Sequence, residues 1–442
     1  MQITIGAVIV LAASGAIIWY ILYREKIKRS LQQIAPYFQQ PEEVREFDDP
    51  AMCQRILACQ CIDEPGPKNT LFSLESRANP NQRLVQVFGI HNAFTTYESK
   101  YHLDFKARAV GILGAVDDKR WKGIAHIARK LIHRRTERQG RAIDPEGGIP
   151  FVTFVQTVAM SISLYVLFDS LNPLELDESN VSKAAGCINE LWIQSKKDPI
   201  DDKLVSAEKS ILQEALHNIS PDFEFKSDET PLNLILPAYE TLWRVVLRCF
   251  IEVSFLNRDS TQEWREVLQR FLENPADSAF KERTVREDVS VEFIVFEALR
   301  LYPPTRRVYR EFKFGNEENS ETVAADIEKS HRNPKVWGPE SELFRPFRWN
   351  NISDELRKKI FMAFGGGRFI CPAQKKFGPK MIGILVAALA TEIYSDGWKI
   401  GSVDKYGSVI DHEWARGPLE SGREAFGSLK LWRKSSSAGN QA

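Results

Sequence analysis

The longest uncharged apolar run in the chain is its first. Residues 3–23, ITIGAVIVLAASGAIIWYILY, contain no charged side chain. As a helix they would span about 32 Å, the depth of a bilayer core. Trp19, Tyr20 and Tyr23 close the run, and Arg24, Lys26, Lys28 and Arg29 follow it, with no charge ahead. That order predicts a retained anchor with the bulk of the chain on the cytosolic side. A cleavable signal would instead carry its charge in front of a shorter apolar core. A second run, FVTFVQTVAMSISLYVLFDSL (151–171), includes Thr153, Gln156, Thr157, Ser161 and Ser163, reaches Asp169, and lacks basic flanks. It reads as a helix buried on nearly all sides of a large globule.

Elsewhere the apolar positions recur at helical spacing. WKGIAHIARKLIHRR (121–135), AAGCINELWIQSKK (184–197), DKLVSAEKSILQEALHNI (202–219), TQEWREVLQRFLEN (261–274), VEFIVFEALRLY (291–302) and FGPKMIGILVAALATEI (377–393) all predict helices. Another, PLNLILPAYETLWRVVLRCFIEV (231–253), opens on Thr230-Pro231, a capping residue followed by the imino acid favoured at the first helical position. Pro237 inside it removes an N–H and leaves the Asn233 carbonyl without its helical donor, which predicts a kink and a groove. Strands are expected near 83–90, 307–314 and 407–433. The fold class is mainly α with a small β lobe. Residues 30–80 have no single period, and only one good helix separates the Trp192 segment from Pro231. The organisation expected is an anchor with basic flank over 1–29, a catalytic domain over 30–434, and a disordered polar tail, SSSAGNQA, over 435–442.

Composition narrows the function. Lys+Arg and Asp+Glu both number 59, so the chain lacks the basic excess of a nucleic-acid binder. Its six cysteines are too few for a disulfide framework in 442 residues. Cys53, Cys59 and Cys61 cluster with no second pair at zinc spacing, and the set reads as reduced and cytosol-facing.

Three elements carry chemistry. MAFGGGRFICPAQ (362–374) sets three glycines before Cys371, with Pro372 suited to start the helix that follows. Backbone N–H groups in such a turn stabilise a thiolate, as nucleophile or metal ligand. The same string also reads as a glycine turn feeding a core helix with an incidental cysteine. Glu297 and Arg300, at i and i+3, share a helix face. FRPFRW (344–349) offers Arg348 to that pair.

Taken in order, these elements resemble a cytochrome P450. Glu297-Ala-Leu-Arg300 is similar to the family's E-x-x-R, and HRNPKVWGPESELFRPFRW (331–349) to the segment that follows. FGGGRFICPA (364–373) is similar to its cysteine loop. The resemblance covers roughly 290–395. It implies the P450 fold around one haem b, with Cys371 as the axial thiolate on iron. It places Phe364, Gly367, Arg368 and Arg310 at the cofactor, and Glu297, Arg300 and Arg348 in a buried structural triad. Pro237-Ala238-Tyr239-Glu240-Thr241 resembles the family's A-G-x-[DE]-T, which implies Glu240 and Thr241 as a proton relay. Two positions depart from the pattern: Phe369 stands where a basic residue is expected, and Ala373 replaces a glycine. The implied activity is a monooxygenase of eukaryotic, fungal-like microsomal type, fed by NADPH-cytochrome P450 reductase with cytochrome b5 as a further donor. It would act on an apolar, lipid-like or secondary-metabolite substrate at the endoplasmic reticulum. The alternatives are a reductase-independent rearranging enzyme and a non-enzymatic haem protein.

Deleting residues 3–23 should release much of the protein from the membranes of a eukaryotic host. Membrane fractionation checks this, and unchanged membrane retention would contradict the anchor.

Overall fold

The computed structural model describes residues 44–60, 70–141, 148–226, 229–256, 261–314, 319–393, 397–403, 409–415 and 417–433. The expected anchor and polar tail lie outside them. Among the described residues no helix is long and apolar enough to cross a membrane. The described residues from Glu46 onward form one compact unit.

Its helices are α1 (Pro50–Leu57), α2 (Thr70–Ala78), α3 (Gln82–Phe88), α4 (Ser99–Gly114), α5 (Asp118–Arg141), α6 (Phe151–Leu167), α7 (Glu178–Gln194), α8 (Asp202–Ile219), α9 (Leu232–Ile251), α10 (Thr261–Glu273), α11 (Val291–Leu301) and α12 (Phe377–Ile393). Short helical turns lie between them. The strands are β1 (Arg45–Phe47), β2 (Ile149–Pro150), β3 (Arg307–Phe314), β4 (Asn319–Asp326), β5 (Trp398–Val403), β6 (Val409–Asp411) and β7 (Lys430–Arg433). They form a three-stranded sheet, β1-β4-β3, and a four-stranded sheet, β2-β7-β5-β6. In the first, β3 and β4 are an antiparallel hairpin that sets Arg307 opposite Asp326 and Arg310 opposite Val323.

The centre is a helical bundle. α6 packs on α9, α7 and α5, while α12 packs on α5, α9 and α10. The 151–171 run is thus the core helix its polar content predicts. Within α6 only Thr153, Tyr165 and Leu167 are not buried. Its hydroxyls are satisfied one turn back: Thr157 donates to the Thr153 carbonyl (2.7 Å), Ser161 to Thr157 (2.9 Å) and Ser163 to Ala159 (2.8 Å). α9 is unbroken at Pro237. The carbonyl that this proline strands, on Asn233, accepts instead from Asn92 Nδ2 at 3.4 Å.

One expectation fails outright. Residues 83–90 are not a strand; most of them form α3. Leu84, Val87 and Phe88 are buried at helical spacing, and Gly89 ends the helix in the left-handed region (φ 67°). The 407–433 region holds β6 and β7 with an irregular loop between them.

A buried carboxylate ties α11 to the segment leading to the cysteine loop. Glu297 and Arg300 are both 0% exposed. Glu297 accepts from Arg300 Nη2 (2.8 Å), Arg300 Nε (2.9 Å), Arg348 Nε (2.9 Å), Trp349 Nε1 (3.1 Å) and the Arg345 backbone N–H (2.8 Å). Arg300 also donates to the carbonyls of His331 and Ser341, both at 2.6 Å. His331 then links the network to the loop. Its Nδ1 bonds the Arg300 carbonyl (3.1 Å), and its Nε2 accepts from the Met362 N–H (2.9 Å). Burial first, and the Arg300 charge next, push the His331 ring down to about 3.

Glu297→Ala leaves the buried Arg300 and the half-buried Arg348 without their carboxylate and should cost about 3–5 kcal/mol, read as lost soluble protein or a lower melting temperature. A variant of undiminished stability would contradict this. The His331 value lies below its ordinary one, so the neutral ring's contribution is fully present above about pH 6.5 and is lost as pH falls toward 3. In urea titrations that proton should add about 1.4 kcal/mol of destabilisation per pH unit within the window. His331→Gln should flatten the slope, and an unchanged slope would contradict the assignment.

Candidate functional site

The loop 362–371 is shaped by where it packs. Gly365 (φ 78°) and Gly367 (φ 57°) adopt left-handed backbone conformations that disfavour a side chain. Gly366 is extended, and its constraint is space. A Cβ there would lie 2.8 Å from Gln54 Oε1 and 3.2 Å from Leu57 Cβ, on α1. At Gly367 it would lie 2.7 Å from Ala58 Cβ. The three glycines therefore press the turn onto the end of α1, and the Cys371 N–H closes it on the Phe364 carbonyl at 2.9 Å. The Ala373 backbone and the Arg77 charge favour the Cys371 thiolate. Burial outweighs both and raises the thiol above its ordinary range.

Phe369 is buried in the place of the expected cation, and two cations come to it. Arg77, from α2, lies 4.6 Å from its ring, and Arg310, from β3, lies 5.7 Å away. Both are buried. Arg310 Nε contacts Cys59 Sγ at 3.1 Å, and its Nη1 bonds the Tyr309 carbonyl at 2.8 Å. Neither has a carboxylate partner among the described residues. Burial, followed by the Arg310 charge, pushes Arg77 down to about 9. From α4, His102 meets the same ring edge-on at 5.5 Å, and its Nδ1 is buried with no hydrogen-bond partner. Arg368 is exposed, and its carbonyl accepts from Lys106 at 3.4 Å. The buried guanidinium that sequence reading passed over is Arg77's. It had no motif to mark it, since α2 lies in the aperiodic stretch before residue 80.

The central helix supplies a second feature. Every residue of α9 is buried except Pro237, Ala238 and Thr241, which share one face. Thr241 Oγ1 donates to the Pro237 carbonyl at 3.2 Å. Glu240 is turned away from that face and is ion-paired with Arg423 of the loop before β7. Arg244 donates to the carbonyls of Pro304 (2.7 Å) and Ser421 (2.9 Å) rather than to Glu240.

The donor set suits an iron porphyrin. Cys371 offers one soft ligand at the end of a turn. Arg77, Arg310 and the orphaned His102 Nδ1 are buried groups short of an anion or acceptor, which two propionates would supply. No cluster of three or more His, Cys, Asp or Glu able to hold a metal ion on its own occurs among the described residues.

Comparison with known proteins agrees. Residues 265–384 match the family model "Cytochrome P450". A tobacco (Nicotiana tabacum) 5-epiaristolochene 1,3-dihydroxylase is 31% identical over 149 residues, 32% of this chain and 28% of that protein. Human 24-hydroxycholesterol 7-alpha-hydroxylase is 36% identical over 91 residues, 19% of each chain. The chain thus aligns with less than a third of the length of these relatives. In three dimensions it resembles a 6-coordinated cytochrome P450 from Thermus thermophilus, with TM-score 0.52 and 13% identity over 88% of this chain and 92% of the other. Residues 265–384 thus match the cytochrome P450 family, whose cofactor is haem b with a cysteine thiolate on iron, and the chain has a P450 fold over most of its length.

Proposed function

We propose that the chain is a haem-thiolate monooxygenase inserting one oxygen atom from dioxygen into an apolar small molecule. The observation that carries this reading is the placement of Cys371 at the end of a three-glycine turn, two residues after Phe369, whose ring gathers the buried cations Arg77 and Arg310 that lack a carboxylate among the described residues. Cys371 would hold the iron and Arg77 and Arg310 the propionates, and the haem would supply the activation of dioxygen.

The chain's own residues set the conditions. Burial keeps the Cys371 thiol protonated until a metal replaces the proton, and the Ala373 N–H and Arg77 then stabilise the anion. Ala238 and Thr241 leave room on the open face of α9. The Thr241 hydroxyl, anchored to the Pro237 carbonyl, keeps its oxygen lone pairs to accept a water proton. Glu240, held by Arg423, fixes the charge and orientation of that turn.

Electrons would come from NADPH through a membrane-bound reductase, with residues 3–23 anchoring the enzyme at the endoplasmic reticulum. Relatives named as hydroxylases of a sterol and a dihydroxylase of 5-epiaristolochene support an apolar, lipid-like or secondary-metabolite substrate. One observation favours a second reading. Arg423 occupies Glu240, and an enzyme that rearranges an oxygenated substrate needs no proton from it; turnover without NADPH would mark that case.

The reduced, CO-bound protein should show the red-shifted Soret band of thiolate ligation, and Cys371→Ala should lose it. An unshifted band in the wild type, or a wild-type spectrum from the variant, would contradict the reading.

A further inference from the structure

Above the turn of α9 that carries Glu240, five segments far apart in sequence each bring a cation to one place: Arg83 from α3, Lys196 after α7, Arg244 from α9, Arg306 before β3, and Arg423 before β7. Trp192 of α7 carries two of them. Arg83 lies 5.4 Å from its ring and Arg423 lies 4.7 Å away. Arg83 also donates to Ser195 Oγ, and Arg423 Nη1 to Asn189 Oδ1 at 3.4 Å.

The acids present do not balance this group. Glu240 pairs with Arg423. Glu328 lies 3.7 Å from Arg306 and also pairs with Arg332 at 3.0 Å. Arg83 and Lys196 have no carboxylate partner among the described residues. Arg244 is buried, and its Nε has no acceptor. Part of the cluster has a structural use. Arg244 holds the Ser421 carbonyl, Arg306 holds Ser421 Oγ (2.8 Å), and the neighbouring Arg248 holds the carbonyls of Glu420 and Gly422 (both 2.8 Å). Arg83 and Lys196 take no part in that clamp.

The crowding is visible at Lys196, Arg83 and Arg244. Burial, then the charges of Arg423, Arg83, Arg244 and Arg306, push Lys196 down to about 8, although its side chain is solvent-accessible. Burial and Arg423 push Arg83 down to about 10, and burial, Arg423 and Arg248 push Arg244 down to about 9. Like charges crowded together at half-buried positions are costly without a counter-charge.

We propose that this cluster is a binding site for an acidic head group, a carboxylate or a phosphate, on an otherwise apolar substrate. That the ligand is a substrate rests on the monooxygenase reading; the anion site does not. Arg83 and Lys196 would take the acid directly, with Arg423 and Trp192 as the floor between them and α9. Glu240 then has a role beside the relay expected of it: its ion pair holds Arg423 in place, so that the acid end is fixed and the apolar end is left for the open face at Ala238 and Thr241.

The test is calorimetric titration of the haem-loaded full chain with dodecanoate, dodecyl phosphate, dodecan-1-ol and dodecylammonium, each below its micelle concentration. One of the two acids should bind at least about tenfold more tightly than both the alcohol and the amine. Arg83→Gln with Lys196→Gln should cut that preference to about twofold or less, and Lys196→Arg should retain it. Lys196→Gln alone, at an accessible position, stands in if the double variant does not fold, and should still reduce the preference. Equal or tighter binding of the alcohol or amine overturns the proposal, as does an acid preference that the Gln variants leave unchanged. The reduced CO spectrum separates the two failures. A protein with the thiolate band but no acid preference loses only the anion site, and one with the preference but no band loses only the monooxygenase reading.

Discussion

A single carboxylate with no access to water holds the site in register. Glu297 accepts five hydrogen bonds, two from Arg300 and one each from Arg348, Trp349 and the Arg345 backbone. A buried ion pair is not in itself a source of stability, because desolvation offsets most of the attraction. Its effect here is geometric. Arg300 shares its helix and the other three partners lie within 345–349, so satisfying Glu297 fixes α11 against that segment. Through Arg300 and His331 the constraint reaches the Met362 N–H, nine residues before Cys371. From there the turn can close only onto α1, where side chains at 366 and 367 would collide with Gln54, Leu57 and Ala58. The three glycines are thus the consequence of a loop anchored at one end and pressed on a helix at the other.

The same packing explains how the site tolerates its departures from the family pattern. An aromatic ring at 369 removes one cation from the loop, yet draws in Arg77 and Arg310 over its faces and His102 at its edge. Positive charge near the cysteine is kept while its source moves from the loop to α2 and β3. On the other side of the fold, α9 uses its charged residues to hold the loop before β7, with Arg244 and Arg248 on its carbonyls and Glu240 on Arg423. The central helix is therefore both the wall of the site and the support of a long irregular loop.

What could be read from the sequence was what local physics decides. Helices 202–219 and 377–393 were readable to the residue. In the first, apolar spacing coincides with a cap, Asp201 accepting from the Leu204 N–H; in the second, an unbroken apolar run begins beyond Cys371-Pro372. The 83–90 segment misled because Val85, Val87, Phe88 and Ile90 are residue types favoured in strands, while its burial follows i, i+3 and i+4 and Gly89 ends the helix. Glu297, Arg300 and Arg348 could be grouped because spacing and order mark them. Arg77, His102 and the pairing of Glu240 with Arg423 could not. Each depends on partners that the fold brings from distant positions, and no short-range pattern signals them. His331 was equally silent, since its role lies in two backbone contacts.

The central claim is that this frame presents Cys371, and no other thiol, to iron. Cys59 is the instructive control, since it is buried in the same small cluster as Phe369 and touches Arg310. X-ray absorption at the iron edge of the haem-loaded protein tests the claim most directly. One sulfur in the iron's first coordination sphere is expected in the wild type and in Cys59→Ala, and none in Cys371→Ala. A sphere of nitrogen and oxygen only in the wild type, or a sulfur that survives in Cys371→Ala, would contradict the account.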